Sequence, residues 1–434
     1  MILICFTFGA KVSLAEVDLP DDLAKIPESL VLLPKDMNAV VVEKKSQQLF
    51  LYSSTDLGVQ ERLRFPCSTG AAPGLKLMSG DQKTPEGVYF LTEEYEDRYL
   101  SPVYGKKAFP TDYPNFIDQR VGRNGSAIWI HGTNKPLNPM ESNGCVAMNN
   151  DDILSLAPYL LLGATPVVMV DTIAYAEPET IEEEKKGLLA LAAAWKQAIE
   201  SGTYHEYLML YDSEYLPDIK WWNTWSSIRS KARKDNLNFL VFFDSPGIYR
   251  EKEIYVIFFD MKLTVGNQTE IVGKRKFFVE KRDEGFKITG DMFQTFPKGE
   301  VRNIGMVADA ANTLYEKSAV DSSLQDIQDT VDKWIVAWSA KDMKTYADSY
   351  SSRFFSDGMN KKSWVARKTR LARRYDFIRV SGKDFKITRQ DGNSAVSFVQ
   401  DYQASDYKEK GIKTLEMVNE EGRWKIFRES WKKN

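Results

Sequence analysis

The sequence is poor in the residues that usually announce a chemistry. Its 434 residues include only two histidines and three cysteines. Three cysteines cannot build a disulfide framework, and so few imidazoles and thiols leave no convincing set of ligands for a transition metal. A surplus of one charge sign is missing too: 58 basic against 61 acidic side chains give a formal net charge of -3. That balance argues against binding nucleic acid through bulk charge. No internal apolar run approaches the ~18 residues that cross a bilayer. What is left is an ordinary globular composition, 43% hydrophobic and 27% charged. The length suits roughly three domains of about 150 residues each.

Against that scarcity, residues 128–148 hold one of the histidines and one of the cysteines. The apolar run Ala127-Ile128-Trp129-Ile130 delivers His131, and a Ser142-Asn143-Gly144 turn delivers Cys145. A free cysteine is only a few per cent thiolate near neutral pH and needs a base to become a useful nucleophile. An imidazole can take its proton. On this pair alone, a chance neighbourhood of two scarce residues is the competing explanation. The remaining histidine, His205, lies in a short helical segment and reads as a surface residue.

Residues 1–15 have the pattern of a signal peptide. An apolar stretch (Ile2, Leu3, Ile4, Phe6, Phe8) precedes Ser13-Leu14-Ala15, a small-x-small cleavage pattern before Glu16. A buried N-terminal strand is the alternative. Residues 18–34 form a polar lead-in punctuated by Pro20, Pro27 and Pro34. From residue 39 short β-prone runs alternate with turns: 39–42, 48–52, 63–67, 88–91, 127–130 and 165–170, with a helix over 151–162. Residues 174–186 form a charged joint.

The remainder repeats itself. An offset of 139 carries Trp195 onto Trp334, Tyr207 onto Tyr346, Tyr211 onto Tyr350 and Trp225 onto Trp364. Later segments match after a slip of one or two residues. Each copy opens with helical spacing (Leu188, Leu191, Trp195, Ile199; Ile327, Val331, Trp334, Trp338) and closes with strands. Helices followed by strands make an α+β unit. The aromatics at helical spacing read as core, and the basic runs after Trp225 and Trp364 as a solvated helix face.

With these residues in view, His131-Gly132-Thr133 and Ser142-Asn143-Gly144-Cys145-Val146-Ala147-Met148 together resemble the catalytic signature of the L,D-transpeptidase (YkuD-type) family. Pro66-Cys67-Ser68-Thr69-Gly70 and Thr84-Pro85-Glu86-Gly87-Val88-Tyr89 resemble its earlier landmarks. The two repeats resemble the cone-shaped fold of the nuclear-transport-factor and ketosteroid-isomerase superfamily. The expected architecture is multidomain α+β. A mostly-β, sandwich-like catalytic domain over 38–171 is followed by cone domains over 180–300 and 320–434.

The resemblance implies a cysteine acyltransferase acting on peptidoglycan tetrapeptide stems, without metal or cofactor. It implies Cys145 as nucleophile, His131 as general base and acid, and the Gly132 carbonyl as the group orienting the imidazole. Ser142, Asn143 and Gly144 would surround the oxyanion and substrate. A stem amine as acceptor gives a crosslink, and water gives a trimmed tripeptide, the L,D-carboxypeptidase alternative. A non-catalytic wall-binding scaffold is the third reading. Two positions depart from the family: Asn143 replaces a frequent histidine, and Ala147 replaces an arginine that could hold a carboxylate bidentately. Cys67 reads as a small buried apolar residue, or as a redox partner of Cys145. The signal peptide implies a periplasmic, exported protein. The cone domains are expected to present surfaces for cell-wall or envelope partners, and no nucleic acid.

Overall fold

A computed structural model describes residues 26–217, 219–294, 305–390 and 393–433. The signal-peptide assignment, with Cys5, lies outside the described residues. Mixed α+β architecture is observed, with strands the commoner element. The chain divides into two compact units, the second essentially Thr313–Asn434.

In the first unit, strands β1 (Asn38–Glu43), β2 (Gln48–Thr55), β3 (Gly58–Pro66), β4 (Gly87–Phe90), β5 (Tyr95–Glu96) and β6 (Lys107–Pro110) precede helix α1 (Phe116–Arg120). Then come β7 (Trp129–Thr133), β8 (Val146–Asn149), α2 (Asn150–Leu156) and β9 (Pro166–Val170). One sheet has the order β3-β2-β1-β9-β4, the other β5-β6-β7-β8. The helix expected over 151–162 ends at Leu156 and tightens into a 3-10 turn at Ala157–Tyr159. Pro158 sits in that turn, and proline cannot donate the next helical hydrogen bond.

The run Ala39–Val42 is apolar throughout rather than alternating because β1 is central and covered on both faces. Val40 and Val42 join Leu49, Leu51, Tyr89 and Met169 in the core shared with the second sheet. Ala39 and Val41 point the other way, into a cluster with Phe50, Val88, Phe90 and Val168. That second cluster is closed by Tyr249, Val256, Phe258 and Phe278, which belong to the first repeat.

The first repeat (copy 1) comprises α3 (Pro178–Glu200), α4 (Tyr204–Leu208), α5 (Trp222–Lys234) and the meander β10 (Phe239–Glu251), β11 (Ile254–Val265), β12 (Gln268–Arg282), β13 (Gly285–Gln294). The stretch expected to be a charged joint supplies the opening turns of α3, with Pro178 at its first position. Proline is well placed there because its missing N–H has no helical acceptor. The lead-in is also more than a linker. Leu30 and Leu33 are buried, and Leu32 exchanges backbone hydrogen bonds with Ile248 of β10 at 2.9 and 2.8 Å. Phe90 packs on Phe258 at 4.4 Å between ring centroids, and Lys276 pairs with Asp112 at 2.6 Å.

The second repeat (copy 2) comprises α6 (Gly305–Ser339), α7 (Met343–Asp348), α8 (Lys361–Arg374) and the meander β14 (Ile378–Gln390), β15 (Asn393–Ala404), β16 (Tyr407–Glu420), β17 (Arg423–Lys433). Trp195, Tyr207, Trp334 and Tyr346 are core residues in their copies. The basic runs are only partly the solvated faces expected of them. Arg229 turns back to donate to the carbonyls of Ile199 and Gly202, both at 3.0 Å. Lys368 lies over the rings of Trp338 and Trp364, at 5.1 and 5.0 Å.

Candidate active site

Strands β7 and β8 run parallel, with Ile130 opposite Val146 and His131 opposite Ala147. Alternation along β7 sends Ile130 into the core and His131 to the other face. The imidazole is nonetheless 94% covered, with 6% exposure. Tyr104 meets it edge-on at 5.0 Å and also packs on Trp129 at 4.7 Å. Gly105 lets that segment close in: its φ is 63°, and a Cβ there would lie 2.5 Å from the Gly132 carbonyl carbon.

His131 Nδ1 lies 2.6 Å from the Gly132 carbonyl oxygen. A carbonyl only accepts, so this contact assigns the proton to Nδ1 and leaves Nε2 free to accept one. Burial pushes the imidazole below its ordinary pKa, and the Gly132 hydrogen bond opposes that shift.

Cys145 sits one residue before β8, at the end of a constrained turn. Gly144 has φ 122°, and a Cβ on it would come within 2.8 Å of the Lys83 carbonyl. Thr84 Oγ1 donates to the Gly144 carbonyl at 2.8 Å and accepts from Gly70 N–H at 2.9 Å. Ser142 Oγ donates to the Cys145 carbonyl at 2.6 Å and accepts from Gly144 N–H at 3.1 Å. The Gly144 amide is therefore engaged in this arrangement. Asn143 is exposed at the tip of the turn.

The Cys145 thiol donates to the Ala127 carbonyl at 3.3 Å. Burial pushes its pKa up, against a backbone hydrogen bond at Trp129 and the charge of Lys76, which favour the thiolate. With the imidazole shifted down and the thiol shifted up, the resting pair is neutral near pH 7. Cys145 and Cys67 are both free thiols. Cys67 is 2% exposed in the core beside Val40 and Leu49, and burial pushes its thiol up to about 12. His205 is exposed on α4.

The structure thus places His131 and Gly132 within β7, and Ser142, Gly144 and Cys145 in the turn that leads into the paired β8, with Asn143 exposed in that turn. Sequence reasoning missed Tyr104, Lys76 and Lys83. Gly105 hinted at the first by marking a tight approach, but nothing local distinguishes Lys76 from the other lysines.

The family of L,D-transpeptidase catalytic domains (YkuD) matches residues 37–169. These residues form an L,D-transpeptidase domain. The Cds6 C-terminal NTF2-like domain family matches residues 326–430, within copy 2. The transpeptidase domain is similar to YqjB of Bacillus subtilis (strain 168), provisionally named an L,D-transpeptidase, at 30% identity over 118 residues. That match takes in 25% of this chain and spans 63% of the Bacillus protein's length. Among solved structures, Bd1075 of Bdellovibrio bacteriovorus is similar at 20% identity and a TM-score of 0.35, over 94% of this chain and 99% of that one. The helical cell shape determining protein Pgp2 of Campylobacter jejuni is similar at 25% identity and a TM-score of 0.46, over 61% of this chain and 95% of that one.

Proposed function

We propose that the protein is an exported cysteine acyltransferase that remodels peptidoglycan, working through a thioester on Cys145. The observation that carries this reading is the 2.6 Å contact between His131 Nδ1 and the Gly132 carbonyl. It reserves Nε2 as a base on the strand paired with the one that Cys145 precedes. As the sulfur attacks the carbonyl carbon of the third stem residue, its proton passes to Nε2. The C–N bond to the terminal D-alanine then breaks, and the imidazolium returns the proton to the departing amine. Because the Gly144 amide already donates to Ser142, the Cys145 amide is the donor assigned to the oxyanion. Such a donor contributes about 2.7–4 kcal/mol to the transition state. An amine from a second stem resolves the thioester into a crosslink.

Ala147 favours a second reading, an L,D-carboxypeptidase in which water replaces the amine. It is 8% exposed and carries no cation to hold a second stem's carboxylate. Incubating the protein with tetrapeptide muropeptides, with and without an acceptor stem, separates the readings by mass. A crosslinked dimer supports transfer and a tripeptide monomer supports hydrolysis. No turnover points to a scaffold. Full activity in Cys145→Ala would sink both enzymatic readings. Export is tested by fractionation: a periplasmic protein whose mass starts at Glu16 supports it, and an intact Met1 in the cytoplasm refutes it.

The resting neutral pair has a pH signature. Alkylation of Cys145 by iodoacetamide should keep rising beyond the ordinary thiol value of 9.0 instead of levelling near neutrality. Turnover should fall only below the ordinary imidazole value of 6.5, where His131 becomes protonated. An alkylation plateau already reached near neutral pH would mean a preformed thiolate–imidazolium pair instead.

A further inference from the structure

Residues 74–86 leave the catalytic domain's sheet and return to it beside Cys145, and both ends are pinned by one buried ion cluster. Lys44 Nζ donates to the Gly74 carbonyl at 2.8 Å and to Glu86 Oε1 at 2.7 Å. The Lys44 and Glu86 side chains are 6% and 4% exposed. A carboxylate this deep needs compensation on both oxygens. The second cation comes from copy 1: Lys252 Nζ donates to Glu86 Oε2 at 2.6 Å. Burial alone would raise the Glu86 carboxyl, but the hydrogen bonds from Lys252 and Lys44 outweigh it and hold it below the usual range.

Lys252 is well placed for this. It occupies the tight turn between β10 and β11 with φ 51°, and Arg250 Nε donates to its carbonyl at 2.6 Å. The same Arg250 meets Glu184 of α3 at 3.2 Å, which anchors the hairpin tip to copy 1.

Between the pinned ends, the segment touches the site three times. The Lys83 carbonyl fills the space where Gly144 lacks a side chain. The Thr84 hydroxyl ties Gly70 to Gly144. Lys76, 3% exposed and 2.6 Å from Asp81, is the buried cation whose field favours the Cys145 thiolate.

We propose that Lys252 is a positioning residue for the Cys145 site, acting through Glu86 and Lys44 to hold residues 74–86 in place. Copy 1 thereby sets the reactivity of a thiol in a different domain. The inference rests on Cys145 being the nucleophile, but its test needs no substrate. The Lys252 side chain is 64% exposed but its partner Glu86 is buried, so removing it costs stability as well. Urea unfolding of each variant, run beside the alkylation, separates the effect on reactivity from that on folding.

The experiment measures iodoacetamide alkylation of Cys145 in the full chain across about pH 6 to 10, by mass of the Cys145 peptide, with buried Cys67 as the silent control. Lys252→Met should slow the reaction roughly three- to tenfold near neutral pH and move its midpoint up by about half to one pH unit. Lys252→Arg, which can still reach the carboxylate, should stay within about twofold of wild type. Lys262→Met, which breaks a surface pair with Asp244 elsewhere in copy 1, should change nothing. Trypsin should also cut after Lys83 several times faster in Lys252→Met. A folded Lys252→Met with the wild-type alkylation profile and cleavage rate overturns the proposal. If that variant does not fold, Glu86→Gln decides, and a wild-type profile in Glu86→Gln overturns it equally. Alkylation that shifts as expected in a protein without turnover on stem peptides would sink the proposed function and leave this inference standing.

Discussion

In copy 1 the buried Arg275 pairs with Asp291, and in copy 2 Lys413 pairs with Glu429, 138 residues further along in each case. In both, the acid also takes a tyrosine hydroxyl, from Tyr211 or Tyr350. That hydroxyl accepts from a tryptophan, Trp195 at 2.9 Å or Trp334 at 2.8 Å. The polar array is thus shared, and the difference lies in what surrounds it. Copy 1 packs Phe243, Phe259 and Phe277 about Trp195, with Arg275 stacked 4.2 Å from the indole. Strand registers place Gly382 opposite Gln400 where copy 1 has Phe243 opposite Met261, and Leu415 where it has Phe277. At Gly382 the space is taken by Phe385, stacked on Phe398 at 4.8 Å, and copy 2 also carries a cavity of about 370 Å³ bordered by Trp334, Trp364, Lys368, Gln400, Glu429 and Trp431. The same fold and an equivalent buried ion pair thus carry different surroundings, a phenylalanine cluster about the tryptophan in copy 1 and a cavity beside it in copy 2.

The largest expected effect is in copy 1. Asp291→Ala strands Arg275, which is fully buried, and should cost about 3–5 kcal/mol in urea unfolding. Glu429→Gln should cost less, about 1–3 kcal/mol, because the cavity beside Lys413 and Lys368 admits water. Equal losses would erase the distinction between the copies. Next, Phe277→Leu should cost about 1–2 kcal/mol, and Leu415→Phe, which enlarges a fully buried core side chain, should cost about 1–3 kcal/mol. A neutral Leu415→Phe would mean that the core of copy 2 has room that copy 1 lacks.

The smallest effect concerns a titration that copy 1 cannot show. Lys368 is held down at about 8 by burial and by the neighbouring Lys413 and Arg367, against Glu429. Its counterpart at an offset of 139 is Arg229, which keeps its charge at any ordinary pH. A methyl-labelled lysine resonance with a midpoint near 8 in wild type, absent in Lys368→Arg, checks this. The sign for stability follows from proton counts. Above the folded value the native lysine is neutral, while the unfolded one keeps its proton up to its ordinary 10.5. The stability contributed by this group therefore rises with pH between those two values, and Lys368→Arg should lack that rise.

How much of this was legible beforehand depends on distance along the chain. His131 and Cys145 stood out because they are scarce and close together, and the strand that carries His131 was readable as an apolar run, whereas the strand Val146–Asn149 after Cys145 was not read. The repeat was visible through its Trp and Tyr spacing. The buried acid–base pairs were not, because β12 has 15 residues where β16 has 14, which slips the register. Arg for Lys and Asp for Glu then disguised the match. Lys252 was out of reach: it meets a carboxylate 166 positions away, and its turn carries no mark of the partner. The lead-in looked like a linker because its prolines were conspicuous, while Leu30 and Leu33 become core only once β10 lies beside them.

That pairing of Leu32 with Ile248 has a consequence for how the protein is made. In a nascent chain the lead-in emerges well before its hydrogen-bonding partner, which is synthesised more than two hundred positions later. Tyr249, Val256, Phe258 and Phe278, which seal the outer face of the five-stranded sheet, arrive later still. Until they do, an apolar sheet face stands open to water, a state prone to association with other chains. Emergence of copy 1 is therefore the step that ends this vulnerable interval, and the same step brings Lys252 to Glu86. Maturation of the sheet and tuning of the thiol finish together.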